Sequence, residues 1–558
     1  MISSHKYKIL LTILILFHLI AGTMWLNLNK SMPGIDPANH ISNSFATHKC
    51  ITHITEQSLV ECIKISGFYP PFVYILTALF MLFTGISINA ARYASIIFLC
   101  ISIIAIYLWA FQLYKSKFVA LLTASTYSLL PLVTLFSRDL WLENALVFLM
   151  FFCMFFLLKS NGFSNRRYTF LAFFTLGLGM LTKWNVFLYL IVPFIAEIII
   201  GYNTIGLKAL TKTFINGFIV VSIMFSLWFL PNYNEFIDGA RYASIPDGSL
   251  PQEIISFESI IYYITIIIKY HLGIMLSLLL VVLIPVFIKS NSKFIIFYIL
   301  GSIFMIYAAF TLIAVKDFRY MLPVLPIIIT IIVSSLFKLT TNSLVKDVFA
   351  VLILGYLLFY YLVFSFKFPI NSEFKYAVNI PVLDYVDIVN LSSQFPAYPY
   401  YSNVWPFKPS LQDIVENIRG QSLDLLVLVE YPYFNTNNYA LFVQSNNQIN
   451  VQVDYDFAAK HINSTSEAIK TDLLEIDYIL VSQNESTPDY HKTQKVYDEI
   501  QTLLLNSEIN AEIIAIYKMP ADEVYTLLGE PTDSSTRVRY DYCSSVTCDE
   551  IYLYKIIK

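Results

Sequence analysis

The sequence predicts a polytopic α-helical membrane domain, residues 1–366, joined to a soluble α/β domain, residues 367–558. Three observations predict it. Apolar residues make up 57% and charged residues 13% of the 558-residue chain, and the mean hydropathy is +0.63, a balance that soluble globular proteins of this size do not show. From Tyr7 to about Phe366 the apolar residues form runs that approach the roughly 20 residues a helix needs to cross a hydrocarbon core. Beyond Lys367 the runs shorten and polar residues return. The formal net charge is −3 and no basic tract is present, which argues against nucleic acid as a partner.

The segment His5 to Thr23, with Lys6 and Lys8 before an apolar core, could be read as a signal peptide. Ala21-Gly22-Thr23 is a poor cleavage site, so an uncleaved first span is expected. Lys and Arg then cluster in alternate loops: Lys115/Lys117, Lys159/Arg166/Arg167, Lys208/Lys212, Lys289/Lys293 and Lys338/Lys346. Placing these loops in the cytoplasm, as the positive-inside rule requires, gives spans near 8–28, 90–112, 118–136, 144–158, 168–182, 184–200, 213–230, 272–288, 294–314, 321–337 and 344–364. That is about eleven helices, with the N-terminus cytoplasmic and the C-terminal domain extracytoplasmic at a cell (inner) membrane. The apolar segment Tyr69–Gly85 would invert every later loop if it crossed. It is therefore expected to lie along the outer interface or to be partly re-entrant, with Tyr69-Pro70-Pro71 leading into a helix.

This topology sorts the acidic residues. Twelve carboxylates precede Asn342, and all but Glu197 fall in outer loops, beginning with Asp36 in SMPGIDPANH. Carboxylates have little say in orientation, so the segregation reflects either depletion from short basic loops or an active site on the outer face. Cys50 and Cys62 share the first outer loop, and Cys543 and Cys548 share the C-terminal domain. Two local pairs in an oxidising compartment suggest two disulfides. Cys100 and Cys153 lie in spans and read as small apolar residues.

The outer loops also hold cations close to the membrane: Arg138, Lys183 in LTKWN, Lys269 (with His271) in IIIKYHLG, Lys316, and Arg319 in RYMLPVLP. Each alone reads equally well as functional or as structural, snorkelling to headgroups or pairing with Asp139 or Asp317. Together, carboxylates and cations at one bilayer face suit a reaction on a lipid phosphate. The cations would hold a phosphate leaving group, and a carboxylate would take the proton from an attacking hydroxyl.

The motifs GIDPANH, YPPFVYIL, SRDLWLENALVFL, GLGMLTKWNVFLYLIVPF and DFRYMLPVLP follow one another in register from about Ile9 to Leu336. In this the membrane domain resembles the polyprenyl-phosphate-sugar-dependent glycosyltransferases of the GT-C fold, such as protein O-mannosyltransferases and the lipid A aminoarabinose transferase. The resemblance implies that Asp36 is the first-loop carboxylate, a general base or a group close to the reacting centre. It implies that Glu143 is the second-loop acid, with Asp139 the competitor and a candidate partner of Arg138. Lys183 matches a Thr-Lys position between two helices, and Arg319 heads the Arg-Tyr-Leu-Leu-Pro-like motif. Tyr69 stands where some relatives carry a Lys or His that touches the phosphate. Tyr brings no charge, which shifts that contact toward Lys269, His271 or Arg319. Some relatives pair Asp with Glu in the first loop. Here Pro37 follows Asp36, which argues against a tightly held divalent ion at this loop. A metal bridging Asp36 and Glu143 stays open, and no other cofactor is implied. His40 reads either as an orienting group for Asp36 or as a plain loop histidine.

The expected reaction moves a sugar from a polyprenyl-phosphate donor to a hydroxyl or amine of a glycan, lipid or protein acceptor, with inversion. A lipid-linked-sugar flippase is the first alternative. It should carry midplane polar groups and internal repeats, and neither is visible. A ligase or polymerase using a diphosphate-linked glycan is the second. In the C-terminal domain, 423–431, 476–483 and 511–519 read as strands and 490–506 as a helix, suggesting a small doubly wound or related sheet. Aromatics at 395–407 and 430–439 read either as a carbohydrate site or, in preference, as a docked Pro-rich loop.

Overall fold

The computed structural model describes residues 2–29, 31–53, 59–243, 256–366, 368, 375–380, 384–390, 411–414, 423–428, 430–431, 434–445, 451–454, 464–482, 494–520, 538–541 and 548–557. They form two compact units. The first contains the described residues of 1–29, 43–244 and 253–399, and the second those of 30–42 and 400–558.

The first unit is helical. Eight of its helices are long and apolar enough to cross a membrane: His5–Leu28, Ile88–Tyr114, Leu142–Ser160, Val186–Phe229, Phe257–Ser290, Lys293–Thr311, Phe318–Leu339 and Ser343–Phe366. Several starts carry a side-chain cap, which accepts one of the N–H groups a helix leaves unpaired. Ser87 caps through Ala90 N at 3.1 Å and Ser256 through Ser259 N at 3.1 Å. The most buried span is Phe318–Leu339, 89% buried, with Leu142–Ser160 at 72% and the first helix at only 28%. The two most buried helices therefore form the scaffold, and the first lines the outside of the bundle.

Two expected spans fall short of that length. The 118–136 region is broken into Lys117–Ser128 and Pro131–Phe136, because Pro131 has no N–H to continue the ladder and opens a new helix instead. The 168–182 region is a 15-residue helix, Arg166–Met180. Phe72–Thr84 has 13 residues, about 20 Å of helix, which is too short to cross.

Val186–Phe229 runs for 44 residues but is not straight, since Gly206 sits at φ 73°, ψ 163°. On a straight helix Phe194 and Phe214 would lie about 30 Å apart, yet their rings are 6.2 Å apart and both meet Phe163 and Phe173. The chain doubles back at Gly206, and its two arms coincide with the expected spans 184–200 and 213–230. Beside this hairpin, Gly162 (φ 65°) touches Gly201 backbone to backbone, and Glu197 Oε2 accepts the Gly162 N–H at 2.7 Å. Cys50 and Cys62 form a disulfide with Cα atoms 5.6 Å apart. The second expected disulfide involves Cys543, which lies outside the described residues. Strands β1 (Lys375–Ile380) and β2 (Asp384–Asn390) pair antiparallel at the end of this unit.

The second unit is a mixed sheet with helices. Strands β3 (Leu423–Leu428), β6 (Val451–Asp454), β7 (Tyr478–Ser482), β8 (Ala511–Pro520), β9 (Val538–Asp541) and β10 (Cys548–Ile556) lie in the order β6-β3-β7-β10-β8-β9; β4 (Glu430–Tyr431) and β5 (Phe434–Asn435) form a small hairpin. Strands β6, β3 and β7 are parallel, as a doubly wound sheet requires. The sheet departs from that expectation at β10, which runs antiparallel to both β7 and β8. Helices Ser466–Leu473 and Gln494–Leu505 bury Ile469, Leu473, Val496, Ile500 and Leu503 against Leu426, Leu428, Ile479 and Val481. The aromatic stretch 395–407 lies outside the described residues.

Candidate active site

In the first unit, helix ends bring several of the expected residues together. Leu142–Ser160 starts at Trp141-Leu142-Glu143, so Glu143 sits in its first turn, where a carboxylate meets the positive end of the helix dipole. Lys183 lies in the turn after Arg166–Met180, its N–H bonded to Gly179 O at 2.9 Å. Its Nζ donates to Glu143 Oε1 at 2.6 Å, and the side chains are only 13% and 3% exposed. The same turn receives the Tyr-Pro-Pro segment, as Phe72 N donates to Leu181 O at 3.0 Å. Burial alone would lower the Lys183 pKa. The Glu143 carboxylate, Tyr320 and Tyr69 together outweigh that burial and the nearby Arg319 charge, and the ammonium is held above its ordinary range.

The segment 317–320 closes the cluster. Asp317 caps its short 3-10 helix through Arg319 N at 2.8 Å and also takes Arg319 Nε at 2.6 Å. The Arg319 guanidinium lies 4.8 Å over the Trp141 ring, and Lys183 Nζ lies 5.2 Å from the Tyr320 ring. Tyr189 donates to Tyr320 O at 3.0 Å. Glu143, Lys183, Arg319 and Tyr69 are thus gathered with Tyr320, Trp141 and Tyr189.

Lys269 and His271 sit on a π-helical stretch, Ile267–Leu272, that ends at Gly273 with φ 70°. Such stretches are short and frequent at functional sites. His271 is buried and its Nε2 bonds Phe318 O at 2.9 Å, which ties this stretch to the 317–320 segment. Lys269 is half-buried, and no ion pair or hydrogen bond of its side chain occurs among the described residues. Arg138 is drawn into a different cluster: it bonds Ser365 and lies 5.0 Å from the Trp25 ring and 5.6 Å from that of Tyr361. Asp139 pairs with Arg92 at 2.6 Å. Lys316 donates to Thr311 O and Ile313 O, both at 2.6 Å, and so caps the end of Lys293–Thr311.

Asp36 belongs to the second unit. It is half-buried in the first turn of the helix Ile35–Thr52, and His40 in the next turn is buried. Among the described residues no three His, Cys, Asp or Glu side chains gather as a metal site requires. Arg92, Tyr320, Trp141 and Tyr189 were missed in the sequence. Trp141 and Tyr320 lie inside the quoted motifs beside Leu142-Glu143 and Arg319, whereas Arg92 carries no local signal.

Fold and site describe a polytopic helical membrane protein with a buried charged cluster and a C-terminal α/β sheet, and comparisons with known proteins show what it is similar to. Residues 69–229 match the sequence model of the family described as Dolichyl-phosphate-mannose-protein mannosyltransferase. ArnT from Cupriavidus metallidurans bound to undecaprenyl phosphate is similar in fold, with TM-score 0.55 and 11% identity over 90% of this chain and 96% of that one. Its apo form matches with TM-score 0.53 and 12% identity over 92% and 96%. The arabinofuranosyltransferase AftD from Mycobacteria matches with TM-score 0.50 and 11% identity over 98% of this chain, which spans only 40% of AftD. No curated protein matches the sequence. Over 90% or more of its length the chain thus has an ArnT-like fold, and residues 69–229 carry the sequence pattern of the mannosyltransferase family.

Proposed function

We propose that this chain transfers a sugar from its polyprenyl-phosphate carrier to a hydroxyl or amine acceptor at the outer face of the cell membrane, inverting the anomeric centre. The N-terminus is then cytoplasmic and the C-terminal domain extracytoplasmic. The acceptor atom forms a bond to the anomeric carbon, and Asp36 takes its proton. The bond from that carbon to the phosphate oxygen breaks, and the electron pair leaves with the polyprenyl phosphate.

The observation that supports this reading most is the charge balance of the first-unit cluster. Lys183 is neutralised by Glu143 and Arg319 by Asp317. Lys269 adds a positive charge that no described side chain balances, and a departing phosphate is the anion that would meet it. Lys183 and Arg319 then supply oriented N–H donors, Tyr69 a hydroxyl, and Glu143 holds Lys183 in place. His271 acts as the strut that fixes the Lys269 stretch against Phe318, and Arg138 braces the bundle from its own aromatic cage.

Purified protein given radiolabelled polyprenyl-phosphate sugars should make a labelled acceptor product, which a flippase would not. Asp36→Asn should abolish transfer while donor binding and thermal stability stay at wild-type levels. Full activity in that variant would remove Asp36 as the base.

A further inference from the structure

We propose that Asn438, in the C-terminal region of the chain, is a positioning residue for Asp36; this rests on the reading of Asp36 as the base. Asn438 is fully buried in the first turn of the helix Thr436–Ser445. Its Nδ2 donates to Pro33 O at 2.6 Å, and Asn437 Nδ2 reaches Ile35 O at 3.4 Å. These residues and Asp36 all belong to the second unit.

The chemistry of the Asp36 segment explains why a donor is needed there. The helix carrying Asp36 begins at Ile35, and the first carbonyl its ladder uses is Gly34 O, which accepts from Ala38 N at 2.9 Å. Pro33 stands one residue earlier, so its carbonyl lies outside the ladder, and the residue is buried. A buried carbonyl must find a donor. Asn438 supplies it, while Ala38 and Ile41, both wholly buried, anchor the following turns. The Asp36 carboxylate is thereby held from the chain on its N-terminal side by an amide some four hundred residues later. A general base displaced by about 1 Å can lose about 100-fold in rate, so the clamp acts on turnover and not on donor affinity.

The full-length protein tests this with a polyprenyl-phosphate sugar donor. Asn438→Ala should lower kcat by about 10- to 100-fold, leave the donor KM within about twofold, and shift the acid limb of the pH profile of kcat. Asn437→Ala removes the longer bond at the rim and should show the same pattern more weakly, which keeps a readout should Asn438→Ala not fold. Wild-type kcat and an unmoved pH profile in both variants, with Asp36→Asn inactive, would overturn the positioning role alone. An equal rise in KM and fall in kcat tracking lost thermal stability would overturn it too. An active Asp36→Asn would instead overturn the base assignment beneath it.

Discussion

Lys183 and Glu143 are 40 positions apart in the chain and make a 2.6 Å contact in a nearly closed environment. Removing one partner of such a pair strands the other charge, which costs about 3–5 kcal/mol. Glu143→Gln should therefore lower the thermal midpoint sharply, and Glu143→Gln combined with Lys183→Met should recover some of the loss; a double variant worse than the sum of the two would contradict the pairing. The pH dependence follows from the raised Lys183 pKa. Its contribution to stability is fully present below the unfolded-state value of about 10.4 and fades only as pH rises through the higher folded value. Thermal stability should then be flat between pH 6 and 9 as far as this lysine is concerned. Lys269→Gln removes an unbalanced charge, so donor KM should rise about tenfold, equivalent to about 1.4 kcal/mol, with the melting temperature unchanged. An unaltered KM would take Lys269 out of the phosphate site.

At the scale of elements, two glycines with positive φ separate backbone strain from steric contact. Gly206 reverses the long helix and has nothing within 4 Å of an added Cβ. Gly206→Ala should cost about 1–3 kcal/mol, because φ 73°, ψ 163° is a conformation that essentially only glycine adopts. At Gly162 the added Cβ would sit 2.5 Å from Gly201 N, so Gly162→Ala must push the neighbouring helix away and break the Glu197 bond as well. It should cost clearly more in thermal unfolding; equal losses would show that the contact at Gly201 is not tight. Periodicity placed the helices because apolar runs and basic loops are local signals. It overextended the 118–136 span because the Leu130-Pro131 break joins two weakly polar stretches that together reach the length of a span.

For the molecule as a whole, the proposed orientation has a direct test. Asn506→Cys, at an exposed position after Gln494–Leu505, should react with an impermeant maleimide from outside intact cells; labelling only after lysis would invert the topology and with it the outer-face site. The grouping of residues 30–42 with the C-terminal unit was invisible in the sequence, where Asp36 reads as belonging to the first membrane loop.

Composition and loop charge were enough to determine a polytopic helical membrane domain followed by an α/β region, and the five ordered motifs pointed to Asp36, Glu143, Lys183 and Arg319 as candidates. Those features are written in consecutive residues. Tertiary structure alone decided which charges are already paired. Lys183 goes to Glu143, Arg319 to Asp317, and Arg92 to Asp139. It also decided that Arg138 sits in an aromatic cage and that Asn438 reaches back to the Asp36 segment. Partner choice depends on which helix ends meet in space, and no local pattern of residues encodes that meeting.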